Sequence, residues 1–156
     1  MNRSVIGLDK GHTEKLIIEL NSLLANFQVY YQNVRGLHWN IKGRNFFELH
    51  TKFEEFYTDA QEKVDLIAER ILTLQGTPLH TFDDYVKLST VKIGKNVSND
   101  EKAVALIVNS VSELLKIERI ILELSDEAGD EGTNAMMSDF ISEQEKMLWM
   151  MNAWLS

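Results

Sequence analysis

Hydrophobic residues recur at alternating steps of three and four along four long stretches of the chain, which is the spacing of one face of an α-helix. The clearest stretch begins at Asn45 and ends at Gln75. Its apolar positions are Phe46, Leu49, Phe53, Phe56, Ala60, Val64, Ile67, Ile71 and Leu74. Asn45 with Glu48 three residues later is typical of a capping box at a helix start. Gly76 with Pro78 just beyond it is typical of a helix end. The pattern predicts an amphipathic helix of about eight turns.

The same periodicity predicts three more long helices, and a short helix in the connection between the second and third long ones. We expect helices over residues 13–40, 45–75, 82–88, 98–124 and 133–156, after a short irregular arm over residues 1–12. Ser98 and Thr133 are the expected N-caps of the last two helices. A long crossover between the second and third long helices is the ferritin-like variant of the four-helix bundle. The sequence therefore predicts an all-α fold in a single domain over residues 1–156.

Length, composition and charge narrow the class of protein. At 156 residues the chain is long enough to bury the core of one domain. It holds no cysteine and no apolar run long enough for a signal peptide or a membrane span. We therefore expect a cytoplasmic protein with no membrane partner. A formal net charge of −8 argues against a nucleic-acid-binding surface.

A second face of the 45–75 helix carries residue types that bind metals. Four such residues, within an arc of about 100° centred about 120° from the core stripe, are His50, Glu54, Asp65 and Glu69. The other residues that share this arc are Phe47, Tyr57, Ala68 and Leu72. The solvent side is expected elsewhere, at Glu48, Lys52, Glu55, Asp59, Lys63 and Arg70. A helix with two apolar faces usually packs against two different partners, so the second arc predicts an interface.

The spacing of these four residues predicts a metal site between two copies of the chain. His50 and Glu54 are one turn apart and can bind one ion, and the same holds for the second pair, Asp65 and Glu69. Glu54 and Asp65 are about 16 Å apart along the axis, which is too far for one metal centre. A two-fold axis near residues 59–60 would lay an antiparallel copy alongside, with the first pair of one chain beside the second pair of the other. The alternative is a solvated acidic face, which is the usual role of charges on a helix.

A third candidate ligand, His38, lies in the last turn of the first predicted helix. The connection over residues 41–44 is short, so the first two helices are expected to form an antiparallel hairpin that places His38 opposite His50. The alternative role of a histidine at this position is as a partner of the helix dipole. No Glu-x-x-His motif occurs in the chain, so we do not expect a di-iron site inside the bundle.

Three motifs combine these residues: Leu-His-Trp-Asn at residues 37–40, Gly-x-Asn-Phe-Phe-x-Leu-His at 43–50, and Asp-x-x-Ala-Glu-Arg at 65–70. Together they resemble the signatures of the Dps family, the mini-ferritins, and the resemblance covers nearly the whole chain. It implies a hollow homo-dodecamer built from two-fold dimers, which oxidises Fe(II), typically with hydrogen peroxide, and stores ferric mineral. It also implies a ferroxidase with di-iron or mono-iron centres across the two-fold interfaces. By motif match the metal ligands are His38, His50 and Glu54 from one subunit and Asp65 and Glu69 from its partner.

The resemblance also implies roles outside the ligand set. Trp39 matches the tryptophan beside the family's site, where it would intercept oxidising equivalents. The acidic corner resembles the family's three-fold pore segment, and its candidate pore residues are Asp126, Asp130 and Glu131. Ala135 departs from the family pattern, in which Asp is frequent. Members that bind DNA commonly use a lysine-rich terminal tail that this chain lacks, so we do not expect direct DNA binding.

Three functions are left to distinguish. The first is a ferroxidase and iron-storage protein that protects against oxidative damage. The second is a nucleoid DNA-binding protein that protects mainly by physical shielding. The third is a structural helical cage with a vestigial metal site.

Overall fold

The structure is a computed structural model that describes residues 2–156. Over these residues the helices are α1 (Lys10–Asn40), α2 (Phe46–Thr73), α3 (Phe82–Leu88), α4 (Asp100–Ala128) and α5 (Glu131–Leu155). α1 packs along α2 and α4, α4 packs along α5, and the short α3 lies against α1. The predicted all-α fold, a four-helix bundle with an extra short helix in its long crossover, is confirmed.

The apolar stripes of the four long helices meet in one core. The largest side chains that are fully buried in it come mainly from α1, α2 and α4, and include Leu16, Leu20, Leu23, Phe27, Phe53, Ile67, Ile71, Ile107 and Leu114. Each of them stabilises the fold by about 1.5–3 kcal/mol relative to an exposed position. None of the helices over residues 2–156 combines the length and apolarity that crossing a membrane requires.

α1 begins earlier than the sequence predicts. The Asp9 carboxylate accepts a hydrogen bond from the backbone N–H of His12 at 3.1 Å, and this cap starts the helix at Lys10. The arm therefore ends at residue 9 rather than 12, and backbone pairing between Arg3 and Asp9 holds it against the helix start.

The predicted N-caps of α4 and α5 are wrong. The side chain of Asn99, not Ser98, accepts the hydrogen bond from the backbone N–H of Lys102, at 2.9 Å. In α5 the cap is Asp130, whose carboxylate accepts from the backbone N–H of Thr133 at 3.0 Å. In both helices the capping side chain belongs to the residue three positions before the backbone N–H that donates to it. This is the spacing of an N-cap.

The ends of α2 and α4 also differ from expectation. α4 runs on to Ala128 because Gly129, with a φ of 65°, takes the left-handed conformation that closes the helix. At the end of α2 this conformation falls to Gln75, with a φ of 70°, rather than to Gly76. Gly76 is instead required by close approach, since a Cβ there would lie 2.8 Å from the side chain of Ile17.

Asn45 occupies the N-cap position of α2 without capping it. Its amide nitrogen donates to the carboxylate of Asp100 at 2.8 Å, so the predicted capping box with Glu48 is wrong. The contact ties the turn between α1 and α2 to the start of α4, and it thereby fixes the end of the bundle at which the candidate site lies.

The long crossover is fastened to α1 by two buried asparagines. The side-chain oxygen of Asn26 accepts from the backbone N–H groups of Thr90 and Val91, at 2.8 and 3.0 Å. The side-chain oxygen of Asn33 accepts from the backbone N–H of Gly94 at 2.9 Å. These bonds satisfy backbone N–H groups of the crossover, which have no partner within a helix.

Two residues expected on the solvent side of α2 are turned inward. Lys63 is only 4% exposed, and its ammonium group donates to Asp59 at 2.6 Å and to Glu143 on α5 at 2.8 Å. Arg70 is partly buried and pairs with Asp130 at 2.6 Å. Both long side chains can lay their apolar stems along the bundle while the charged ends reach carboxylates on another part of the fold.

Candidate metal centre

The candidate centre starts with two histidines that the α1–α2 hairpin brings face to face. His38 is buried in the last turn of α1, and His50 is half-buried near the start of α2. Their rings are stacked, with centroids 3.8 Å apart and planes inclined by 12°. Phe46 stacks on His50 with its ring centroid 5.0 Å away. The predicted opposition of the two histidines is present in the structure.

Reciprocal hydrogen bonds fix the orientation of both rings. His38 Nδ1 lies 2.6 Å from the backbone carbonyl oxygen of His50, and His50 Nδ1 lies 2.8 Å from that of His38. A carbonyl oxygen can only accept, so each Nδ1 carries the proton and donates. In a neutral ring whose Nδ1 carries the proton, the Nε2 atom keeps a lone pair, and this is the form of histidine that binds a metal.

Glu54 adds a carboxylate one turn beyond His50. Its Oε1 lies 4.0 Å from His38 Nε2, and the side chain is 58% exposed. The hydroxyl group of Tyr57 donates to the same oxygen at 3.5 Å. Three of the sequence-predicted ligands, His38, His50 and Glu54, therefore lie at one end of the bundle.

Asp65 and Glu69 are not brought to this place within one chain. Both are exposed on α2, more than two turns further along the helix, and Asp65 lies in an open depression that Tyr31 and Gln28 also line. Over residues 2–156, no three histidine, aspartate or glutamate side chains stand close enough to hold a metal ion. One chain presents two partial ligand sets rather than a complete one.

Exposed apolar side chains flank both ligand sets. Phe47 is 82% exposed beside His50, and Leu72 is 58% exposed beside Glu69. Trp39, which follows His38 in the chain, is 57% exposed. The guanidinium group of Arg35 lies over its ring, 5.0 Å from the ring centroid. Large apolar groups around polar residues are typical of a surface that another molecule covers.

The acidic corner between α4 and α5 is built differently from a simple cluster of free carboxylates. The side chain of Asp130 is 1% exposed, because it caps α5 and accepts from Arg70 at 2.6 Å. Arg70 also donates to the hydroxyl oxygen of Thr133 at 2.9 Å. Asp126 and Glu131 remain exposed. Of the candidate pore residues, Asp130 holds the corner together and the other two present their charge to solvent.

Tyr57 lies on the second face of α2, as the helix period predicts, and the sequence alone indicates no role for it at the site. Its contact with Glu54 follows from the three-residue spacing between them, which places both on one face of a helix. The T-shaped contact between the rings of Tyr57 and His38, with centroids 5.4 Å apart, depends on the position of α1. The first contact could have been predicted from the spacing, and the second could not.

The chain is similar over almost its whole length to known proteins. The ferritin-like domain family matches residues 17–156. The crystal structure of Dps from Vibrio cholerae O1, described as a member of a broad superfamily of ferritin-like diiron-carboxylate proteins, is 52% identical, with a TM-score of 0.98, and covers 100% of this chain and 98% of its own. A DNA protection during starvation protein of Porphyromonas gingivalis is 40% identical over 150 residues, which are 96% of this chain and 94% of the relative. An uncharacterized protein of Haemophilus influenzae is 48% identical over 153 residues, covering 98% of this chain and 96% of the relative.

The helix arrangement and these matches define a ferritin-like protein. Within that superfamily, the identity to Dps proteins over almost the full length shows that the chain belongs to the Dps family. The family resemblance predicted from the histidine and carboxylate motifs is therefore confirmed.

Proposed function

We propose that this protein is a ferroxidase that oxidises Fe(II), preferentially with hydrogen peroxide, at centres shared between two subunits, and stores the ferric product inside a hollow homo-dodecamer. The observation that carries the proposal is the histidine pair. Two imidazole rings whose Nδ1 atoms both donate to backbone carbonyls keep both Nε2 atoms free for a metal, beside a carboxylate. The description of the Vibrio cholerae relative as a ferritin-like diiron-carboxylate protein supports iron as that metal.

The symmetry of α2 supports the shared centre. The positions midway between His50 and Glu69, and midway between Glu54 and Asp65, both fall between residues 59 and 60. A two-fold axis at that point sets His50 opposite Glu69, and Glu54 opposite Asp65, in an antiparallel copy. The two centres of a dimer then form together, one at each end of the paired helices.

The exposed apolar residues obey the same symmetry. The position midway between Phe47 and Leu72 also falls between residues 59 and 60, so the axis sets Phe47 opposite Leu72 of the partner subunit. These side chains, 82% and 58% exposed in one chain, would cover each other at the ends of the interface. Burial of two such side chains contributes about 1.5–3 kcal/mol each to association, before the cost of ordering the two chains.

The ligand types suit both oxidation states of the substrate. Imidazole and carboxylate bind Fe(II), and the carboxylates also suit the harder Fe(III) ion. Hydrogen peroxide takes up two electrons, one from each of two Fe(II) ions, and with two protons becomes two waters. This paired reaction releases no hydroxyl radical, which accounts for a protective role. We assign to Trp39, which is exposed beside His38, the role of giving an electron to oxidant that does not react with the two Fe(II) ions.

Iron needs a route into the cage, and the acidic corner is its proposed entrance. Asp126 and Glu131 are exposed there, and the chain carries a net charge of −8 that each subunit repeats. Rings of carboxylates at a symmetry axis attract divalent cations and raise their local concentration. The buried pair of Arg70 and Asp130 would hold the corner in place.

The test is Fe(II) oxidation under anaerobic conditions with hydrogen peroxide as the added oxidant. The wild type is expected to oxidise Fe(II) rapidly, and His50→Ala to do so at least about tenfold more slowly. His80→Ala is the matched control, because His80 is exposed in the crossover and bonds only to the carbonyl of Pro78 at 3.0 Å. Equal rates in all three proteins would refute the proposal and leave a structural cage. Replacing peroxide with dioxygen tests the preference for the oxidant.

A second candidate function is the physical shielding of DNA. It is favoured by the name of the Porphyromonas gingivalis relative, a DNA protection during starvation protein. The net charge of −8 per chain opposes it, because phosphate binding requires a basic surface. Gel-shift titrations at increasing salt distinguish the two, since retention of DNA at low salt that disappears at higher salt would establish the shielding function. In either function we propose a cytoplasmic location, in keeping with the cysteine-free composition.

A further inference from the structure

Tyr57 lies between two of the proposed ligands and contacts both. Its hydroxyl group donates to Glu54 Oε1 at 3.5 Å, and its ring packs against His38 in a T-shaped contact, with centroids 5.4 Å apart and planes at 74°. Glu54 is on α2 and His38 on α1, so one side chain links the ligands of two helices. No other residue in the described chain has a hydrogen bond to the Glu54 carboxylate.

Tyr57 is itself held from the α1 side. The ring of Tyr31 meets the Tyr57 ring at 67°, with centroids 6.0 Å apart. The guanidinium group of Arg35 lies 5.2 Å from the centroid of Tyr31, in the position of a cation–π contact. The phenol that reaches Glu54 therefore belongs to a packed row of side chains rather than to a free rotamer.

Glu54 needs such a partner more than the two histidines do. Each histidine is oriented by a bond from its own Nδ1 to a backbone carbonyl. Glu54 has a 58% exposed side chain and lies no nearer than 4.0 Å to His38 Nε2. Fixing one rotamer of an exposed glutamate costs conformational entropy, and an existing hydrogen bond reduces that cost before the metal arrives.

We propose that Tyr57 is a positioning residue of the metal centre, whose hydroxyl orients the Glu54 carboxylate and whose ring supports His38. The inference rests on the proposed function, because it concerns the ligands of the same centre. Partners of this kind, which touch a ligand and not the metal, typically change metal affinity by about 10–100-fold when they are removed.

The experiment uses Co(II), which is not oxidised under the conditions of binding, with the assembled wild-type protein and Tyr57→Phe. Phenylalanine keeps the ring against His38 and removes only the hydroxyl. Tyr85→Phe is the matched control, because it also removes one hydroxyl. The Tyr85 hydroxyl, on α3, donates at 2.9 Å to the carbonyl of Leu79, which precedes that helix, and not to a proposed ligand. Calorimetry gives the affinity, and the visible absorption of bound Co(II) reports the ligand geometry.

Tyr57→Phe is expected to bind Co(II) about tenfold more weakly with an altered absorption spectrum, while Tyr85→Phe matches the wild type and all three proteins elute at the same size. An affinity and a spectrum equal to those of the wild type would overturn the role of Tyr57 and leave the metal centre intact. A wild type that binds Co(II) no better than His50→Ala would instead overturn the centre itself, and the inference with it.

Discussion

Glu118 lies in the middle of α4 with none of its surface exposed, and its carboxyl group faces Gln144 on α5. The amide nitrogen of Gln144 donates to Glu118 Oε1 and to the backbone carbonyl of Phe140, the latter at 2.7 Å. Within residues 2–156, Glu118 Oε2 and Gln144 Oε1 have no hydrogen-bond partner. An ionised carboxylate would leave a buried negative charge with an unpaired oxygen, whereas a protonated one turns an acceptor into a donor. The geometry therefore favours the neutral carboxylic acid.

Burial raises the pKa of Glu118 from its ordinary value of 4.5 to about 8. The hydrogen bond from Gln144 and the positive charges of Lys63 and Arg119 oppose this rise, and the negative charge of Glu143 adds to it. Between these two values the folded chain keeps a proton that the unfolded chain has lost. The stabilisation is therefore complete below about pH 4.5 and is lost as the pH rises through about 8. At 1.36 kcal/mol for each pKa unit, the free energy of unfolding falls by about 5 kcal/mol in total once the pH is well above 8.

Glu118→Gln should remove this pH dependence, because an amide has no proton to lose in this range. Urea unfolding is followed by circular dichroism at fixed protein concentration, since an oligomer's stability depends on concentration. Between about pH 5.5 and about pH 8, the wild type is expected to lose about 3 kcal/mol of unfolding free energy relative to the variant. Glu123→Gln, at an exposed position of the same helix, is the control and should follow the wild type.

Parallel pH profiles for the wild type and Glu118→Gln would refute the reasoning, because they would mean that Glu118 is ionised in the folded protein. Infrared spectroscopy provides a second reading that does not depend on unfolding. The carbonyl stretch of a protonated carboxyl group should be present in the wild type at neutral pH and missing from the variant.

Two further substitutions test how the rest of the fold is held. Asn26→Ala is expected to lower the free energy of unfolding by about 2–4 kcal/mol, because the backbone N–H groups of Thr90 and Val91 lose a buried acceptor; an unchanged urea midpoint would contradict this. Arg70→Gln is expected to lower it by about 3 kcal/mol, because the Asp130 carboxylate, 1% exposed, loses its cation, and Arg70→Lys should recover part of the loss. A change in thermal unfolding no larger than that caused by Arg44→Gln, at an exposed position, would show that the pair is not required.

The long helices could be predicted because each needs a continuous apolar stripe to build one core, and that stripe is visible in sequence. The helix ends could not be predicted to the residue. Asn99 and Ser98 are adjacent and both are good caps, so the choice depends on which side chain the crossover leaves free to turn toward Lys102. The Asp130 cap was visible in the sequence as an acidic residue three positions before Thr133. The other acidic residues around it favoured its interpretation as part of an exposed acidic cluster instead.

The closeness of His38, His50 and Glu54 could be predicted because helix spacing and one short turn determine which side chains lie together. The orientation of the two histidine rings could not be predicted, since the reciprocal Nδ1 bonds depend on how closely α1 and α2 approach. Lys63 and Glu118 show the same limit in the core. A lysine at a solvent-side position and a glutamate in an apolar stripe are both buried, because partners on other helices accept them. Sequence periodicity does not record such contacts.

In the proposed function, each iron-oxidising centre takes His50 from one chain and Asp65 from its partner. Either His50→Ala or Asp65→Ala alone is then expected to damage both centres of a two-fold dimer. When the two variants are expressed together, each mixed dimer has one centre with both losses and one centre with neither. Random pairing then leaves about a quarter of all centres intact.

The decisive measurement is peroxide-driven Fe(II) oxidation, under anaerobic conditions, by each variant alone and by the co-expressed mixture. Shared centres predict slow oxidation by each variant alone and recovery of about a quarter of the wild-type rate in the mixture. A mixture as slow as the separate variants would show that both residues act within one chain or not at all, and it would contradict the intersubunit centre.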